Sequence, residues 1–120
     1  MKLLIAVKSA VIAKLLASSL SEHDVHICDT GRDALEMIER LQPDILILEL
    51  ALPNMDGLTV LRKAKHRPRV ILALTNLATP AVVQAAADAG VQDVILIPCK
   101  ISHIVQHLNA LTEKAPSPEG

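Results

Sequence analysis

Phenylalanine, tyrosine and tryptophan are all missing from the 120 residues, although 51% of the chain is apolar. A core must therefore be built from Leu, Ile, Val, Ala and Met. The stacking platforms that hold single strands are excluded. Charge of one sign is also missing: 12 Lys and Arg against 13 Asp and Glu give a formal net charge of −1. With its cations spread along the chain, the protein lacks the footprint of a nucleic-acid binder. No apolar run approaches the roughly 20 residues that cross a bilayer, and the run Leu3–Val7 is too short for a secretory leader. Cys28 and Cys99 have no metal-ligand spacing. They read as reduced, buried thiols of a cytoplasmic protein with no membrane contact.

Continuous apolar runs recur at Leu3–Val7, Ile45–Leu48, Val70–Leu74 and Val94–Ile97. Unbroken runs of this length suit parallel strands covered on both faces. Val25–Cys28 alternates and suits a strand nearer an edge. Between the runs the period becomes helical. Val11, Ile12, Leu15, Leu16 and Leu20 form one stripe after a Ser9 cap. Thr30-Gly31-Arg32-Asp33 resembles a capping box, followed by Leu35, Ile38 and Leu41 before Pro43. Met55, Leu58, Leu61 and Ala64 make a third stripe, and Thr79-Pro80 opens a fourth helix that ends at Gly90. The last helix carries Ile101, Ile104, Val105, Leu108 and Leu111.

Five strands alternating with five helices predict an α/β fold: a (βα)5 doubly wound, five-stranded parallel sheet in the flavodoxin-like order 2-1-3-4-5. One domain over residues 1–114 is expected, with the Pro-rich 115–120 as a linker or tail toward an output domain beyond it. In such sheets the working site lies past the carboxyl ends of the strands, near the switch point between the first and third. Val7, Lys8, Glu49 and Thr75 fall there.

The segment Pro43-Asp44-Ile45-Leu46-Ile47-Leu48-Glu49-Leu50-Ala51-Leu52-Pro53-Asn54-Met55-Asp56-Gly57 resembles the third strand and following loop of bacterial response regulator receiver domains, the CheY-like superfamily. The likeness stays in register over about residues 2 to 113, through Val70–Thr75 and Ala89-Gly90-Val91-Gln92-Asp93. It implies a two-component phosphorelay module and not an enzyme. In that family a histidine kinase phosphorylates an aspartate, a divalent metal is held by it and an acidic pair, and a hydroxyl, a lysine and an aromatic sense the phosphoryl group.

Carried over residue by residue, the resemblance puts Glu49 at the phosphoacceptor, Val7 and Lys8 at the acidic pair, Thr75 at the switch hydroxyl, Ile97 at the lysine and Val94 at the switch aromatic. Pro53, Asp56 and Gly57 form the rim of the site. Mg²⁺ needs several oxygen ligands, and one carboxylate remains, so neither metal nor other cofactor is expected. The expectation is thus an atypical receiver, independent of aspartyl phosphorylation. Two accounts of its site stand level: Glu49 pairs with Lys8 and accepts a hydrogen bond from Thr75, imitating a phosphorylated state, or both charges are merely solvated. Competing functions are phosphorylation on Glu49 by a kinase or small phosphodonor, and a small-ligand-binding module.

Other residues read as structural. His103 and His107, four apart on the last helix, are expected on the exposed surface, and His66 at a solvated helix end whose cations complement the helix dipole. The resemblance implies a cis Ile97-Pro98 bond, which local sequence leaves open. It also points to a protein partner or attached output domain, in transcription regulation for example, and to a homodimer face on the fourth helix, fifth strand and fifth helix, within segments 80–89 and 102–113.

Overall fold

The computed structural model describes residues 1–114; the linker expected at 115–120 lies outside them. The elements are β1 (Lys2–Ala6), α1 (Ala10–Ser19), β2 (Asp24–Cys28), α2 (Gly31–Leu41), β3 (Ile45–Glu49), α3 (Gly57–Lys63), β4 (Val70–Thr75), α4 (Pro80–Asp88), β5 (Asp93–Leu96) and α5 (Ile101–Lys114). All strand pairs are parallel, in the order β2-β1-β3-β4-β5. This is the predicted doubly wound sheet.

Side chains on a strand alternate between faces, so each apolar run feeds two cores. Leu4, Ala6, Leu46, Leu48, Ile71 and Ala73 pack against Ala34 and Ile38 of α2, Val60 and Leu61 of α3 and Ala86 of α4. Leu3, Ile5, Ile45, Ile47, Leu72 and Leu74 pack on the other face against Ala13 and Leu16 of α1 and Ile104 and Leu108 of α5. With no aromatic ring in the chain, α1, α2 and α4 each bring a buried alanine to the core, Ala13, Ala34 and Ala86.

Helix starts follow the capping chemistry. Side chains of Ser9, Thr30, Asp56 and Thr79 accept from the N–H groups of Ile12, Asp33, Thr59 and Val82, each filling a position that helical bonding leaves empty. The third helix begins only after the Asp56 cap, so Met55 belongs to the preceding loop and Ala64 to the C-cap. Among the described residues no helix is long and apolar enough to cross a membrane.

Two expectations are corrected. Val94–Ile97 read as covered on both faces, but Leu96, on the edge strand β5 that the predicted order implies, is 56% exposed: the helix layer does not cover its face there. On α1 the buried set is Ala13, Leu16 and Leu20, whereas Val11, Ile12 and Leu15 are 68%, 37% and 50% exposed. Both sides of this helix are apolar, and the sheet takes the side that carries Ala13 and Leu16.

Candidate functional site

Glu49 closes β3 and is 8% exposed. The parallel register sets it beside Leu74 of β4, and the chain turns away as the Leu50 N–H donates to the Leu74 carbonyl at 2.9 Å. Its side chain reaches the end of β1, where the Lys8 backbone N–H donates to Glu49 Oε1 at 3.0 Å. Lys8 thus meets Glu49 through its main chain. Its side chain is exposed, and the ion pairs among the described residues all involve histidines. The expected ammonium pair is absent: the hydrogen bond between the two residues is made by the Lys8 main-chain N–H alone.

Thr75 ends β4 and is 5% exposed, yet its hydroxyl serves its own loop: Oγ1 accepts the Leu77 N–H at 3.1 Å and donates to the Leu77 carbonyl at 3.4 Å. The second half of the imitation scheme therefore fails as well. A threonine at a strand end readily closes such a local turn. Val7, Lys8, Glu49 and Ile97 line one cavity, from which Thr75 is absent. Val94 is half-buried against the opposite core, and the Ile97-Pro98 bond is cis.

The rim loop is pinned by backbone bonds. Gly31 N–H and Met55 N–H donate to the Pro53 carbonyl at 3.0 and 2.9 Å, and Gly57 N–H donates to the Leu50 carbonyl at 2.8 Å. Asn54 takes a left-handed φ of 69°, which Asn tolerates better than most residues. Asp56 accepts from the Thr59 N–H at 3.0 Å and from its hydroxyl at 2.8 Å. Those bonds hold its carboxyl below the usual carboxylate range.

Asp56→Ala is expected to cost about 1 kcal/mol, as lost N-caps do. Because the folded-state pKa is depressed, the contribution is present above the ordinary carboxylate range and is lost as pH falls through the folded value. Thermal melts of the variant and the wild type should therefore converge in acid; a gap that persists at pH 2 contradicts the cap.

Several polar contacts had no clear sequence signal. His107 is half-buried rather than exposed, its Nδ1 2.6 Å from Asp93 Oδ2, while His103 is exposed as expected, its ring 4.5 Å from that of His107. His66 is not at a solvated end: half-buried, it sets Nε2 2.8 Å from the Pro43 carbonyl oxygen, and its N–H donates to Glu39 Oε1. Gln92 bridges β4, accepting from Ile71 N–H and donating to the Arg69 carbonyl. The distance along the chain between partners, 14 to 27 residues, hides these bonds from local patterns.

Comparison with known proteins agrees with this architecture. Residues 4–109 match the response regulator receiver domain. Regulatory protein LuxO of Vibrio cholerae is 35% identical over 111 residues, 89% of this chain and 24% of that protein. Protein-glutamate methylesterase/protein-glutamine glutaminase 3 of Shewanella oneidensis is 36% identical over 104 residues, 81% of this chain and 29% of that protein. This chain therefore spans only about a quarter of the length of these relatives. The solved signal receiver domain of a signal transduction histidine kinase from Syntrophus aciditrophicus superposes with a TM-score of 0.77 at 27% identity, covering 98% of this chain and 95% of that one. The sheet order, the site at the strand ends and the match over nearly the whole described chain place this protein in the response regulator receiver domain family, a signalling module of two-component systems.

Proposed function

We propose that this receiver regulates its partner without aspartyl phosphorylation, with Glu49 standing at the phosphoacceptor position. The observation that carries this is the setting of its carboxylate: one oxygen accepts the Lys8 N–H, and Val7, Leu74 and Ile97 share its cavity. Mg²⁺ favours a near-octahedral oxygen shell. Val7 and Lys8 supply no oxygen side chain, and among the described residues no three His, Cys, Asp or Glu side chains converge on a metal site. The donor set does not suit the ion. Phosphoryl transfer relies on positioning and on neutralising charge, and Ile97 brings no cation to the equivalent of the family lysine.

Incubation with acetyl phosphate and Mg²⁺, followed by intact-mass measurement, is expected to leave the chain unmodified. A stoichiometric phosphoryl gain that disappears in Glu49→Gln would establish the opposite: a receiver phosphorylated on glutamate.

The output then passes through contacts. LuxO is named a regulatory protein, and both curated relatives continue well beyond the matched region, which supports an attached output domain or a protein partner here, with transcription regulation as one use. Val83 of α4 and Leu96 of β5 are 42% and 56% exposed, so α4 and β5 offer apolar surface, beside α5, for that partner or for a second copy.

A further inference from the structure

Between α1 and α5, past the carboxyl ends of β1, β3 and β5, lies a cavity of about 350 Å³. That volume sits within the range of small-molecule sites. Its apolar wall is made by Ile12 and Leu15 of α1, Ile101 and Ile104 of α5, Leu74 and Ile97. The same space accounts for the unexplained side of α1: Ile12 and Leu15, 37% and 50% exposed, edge this opening.

One buried charged group shares the cavity. Glu49 is 8% exposed and lines it, with Oε1 occupied by the Lys8 N–H and no hydrogen bond among the described residues to its other oxygen. That oxygen is not sealed from solvent, so it can take a guest's donor, and a charged donor makes a stronger hydrogen bond to a carboxylate than a neutral one. An anionic guest is opposed by Glu49. The donors left to such a guest are the exposed Lys8 and the first N–H groups of α1 that the Ser9 cap on Ile12 does not fill. A quaternary ammonium is disfavoured too: it has no N–H to donate, and a chain without Phe, Tyr or Trp cannot build an aromatic cage.

We propose that this cavity binds a small aliphatic amine, its ammonium donating to Glu49 and its hydrocarbon lying between α1 and α5. Binding itself does not depend on whether a kinase acts. Its use as the input of the domain, in place of a phosphoryl group, rests on the function proposed above.

The test titrates the full 120-residue chain with n-hexylamine, n-hexanol, hexanoate and hexyltrimethylammonium, followed by methyl proton–carbon NMR. Hexylamine is expected to saturate with a Kd on the order of 1 mM, as befits so few atoms, and to shift the methyls of Ile12, Leu15 and Ile104. The other three probes should bind at least about tenfold more weakly, the scale of a charge-assisted hydrogen bond. Glu49→Gln should bring hexylamine down to the level of hexanol and leave hexanol unchanged, with a thermal melt to verify folding. Cys99→Leu, which narrows the cavity without touching Glu49, should weaken both. Equal or tighter binding of hexanoate, no saturation by hexylamine, or indifference of hexylamine to Glu49→Gln overturns the proposal. A phosphoryl gain in the mass experiment overturns the phosphorylation-independent function instead and leaves the titration to stand or fall alone.

Discussion

Gly31→Ala is expected to destabilise the fold by about 2–3 kcal/mol, the upper part of the range for overpacking one methyl, with a fall in Tm of roughly 10 °C. A Cβ at this first residue of α2 would come within 1.7 Å of the Met55 carbonyl oxygen and 2.6 Å of its carbon. Both are backbone atoms, so no rotamer relieves the clash. The Gly31 N–H also donates to the Pro53 carbonyl at 3.0 Å, and parting α2 from the loop breaks that bond. Gly57→Ala meets the Glu49 carbonyl oxygen at 2.8 Å and should cost less. At Gly90 the nearest obstacle is the flexible Arg67 side chain at 2.9 Å, but φ of +95° strains any other residue there. Denaturant melts of the three alanine variants test the ranking. A Gly31→Ala protein within about 0.5 kcal/mol of wild type, the usual scatter of harmless substitutions, contradicts so close an approach of loop and helix.

The loop disturbed by Gly31→Ala forms the rim next to Glu49, so stability and site geometry meet at one glycine. The sequence exposed the frame of that site readily. Ile45–Leu48 and Val70–Leu74 are unbroken because both faces of β3 and β4 are covered, and caps such as Thr30 and Thr79 act through neighbours three residues away. Local chemistry of that kind leaves a local signature.

What stayed hidden depends on three-dimensional choices between chemically equal options. The apolar residues of α1 lie on two sides, and the period alone cannot say that Leu16 and Leu20 face the sheet while Val11 and Leu15 do not. Side-chain charges suggested a Lys8–Glu49 ion pair, whereas the bond is made by a backbone N–H, a donor that every non-proline residue carries. Thr75 could have served Glu49 or its own loop with the same hydroxyl, and Leu77 is nearer along the chain. The cavity left no signal beyond a surplus of apolar residues on α1, and a surplus becomes interpretable only when the packing shows what it faces.

Alkaline pH should unfold this protein through Cys28. The thiol ends β2, packs beside α2, is 8% exposed and is pushed up to about 12, first by burial and then by the nearby charges of Asp33 and Asp29. The ordinary value is 9.0, so between the two the folded chain keeps a proton that the unfolded chain has released. Stability is then fully present below pH 9 and falls as pH rises toward 12, by up to about 1.4 kcal/mol per pH unit. Cys99, raised by burial as well, acts in the same direction. Without tyrosine in the chain, the cysteines dominate just above pH 9, while lysines ordinarily follow nearer 10.4. Urea melts at pH 8, 9 and 10 should show wild type losing about 1 kcal/mol more over the last unit than Cys28→Val, whatever the absolute stability of the variant. Parallel slopes for the two proteins would mean that Cys28 ionises as readily in the fold as in the open chain, and that its burial beside α2 does not hold in solution.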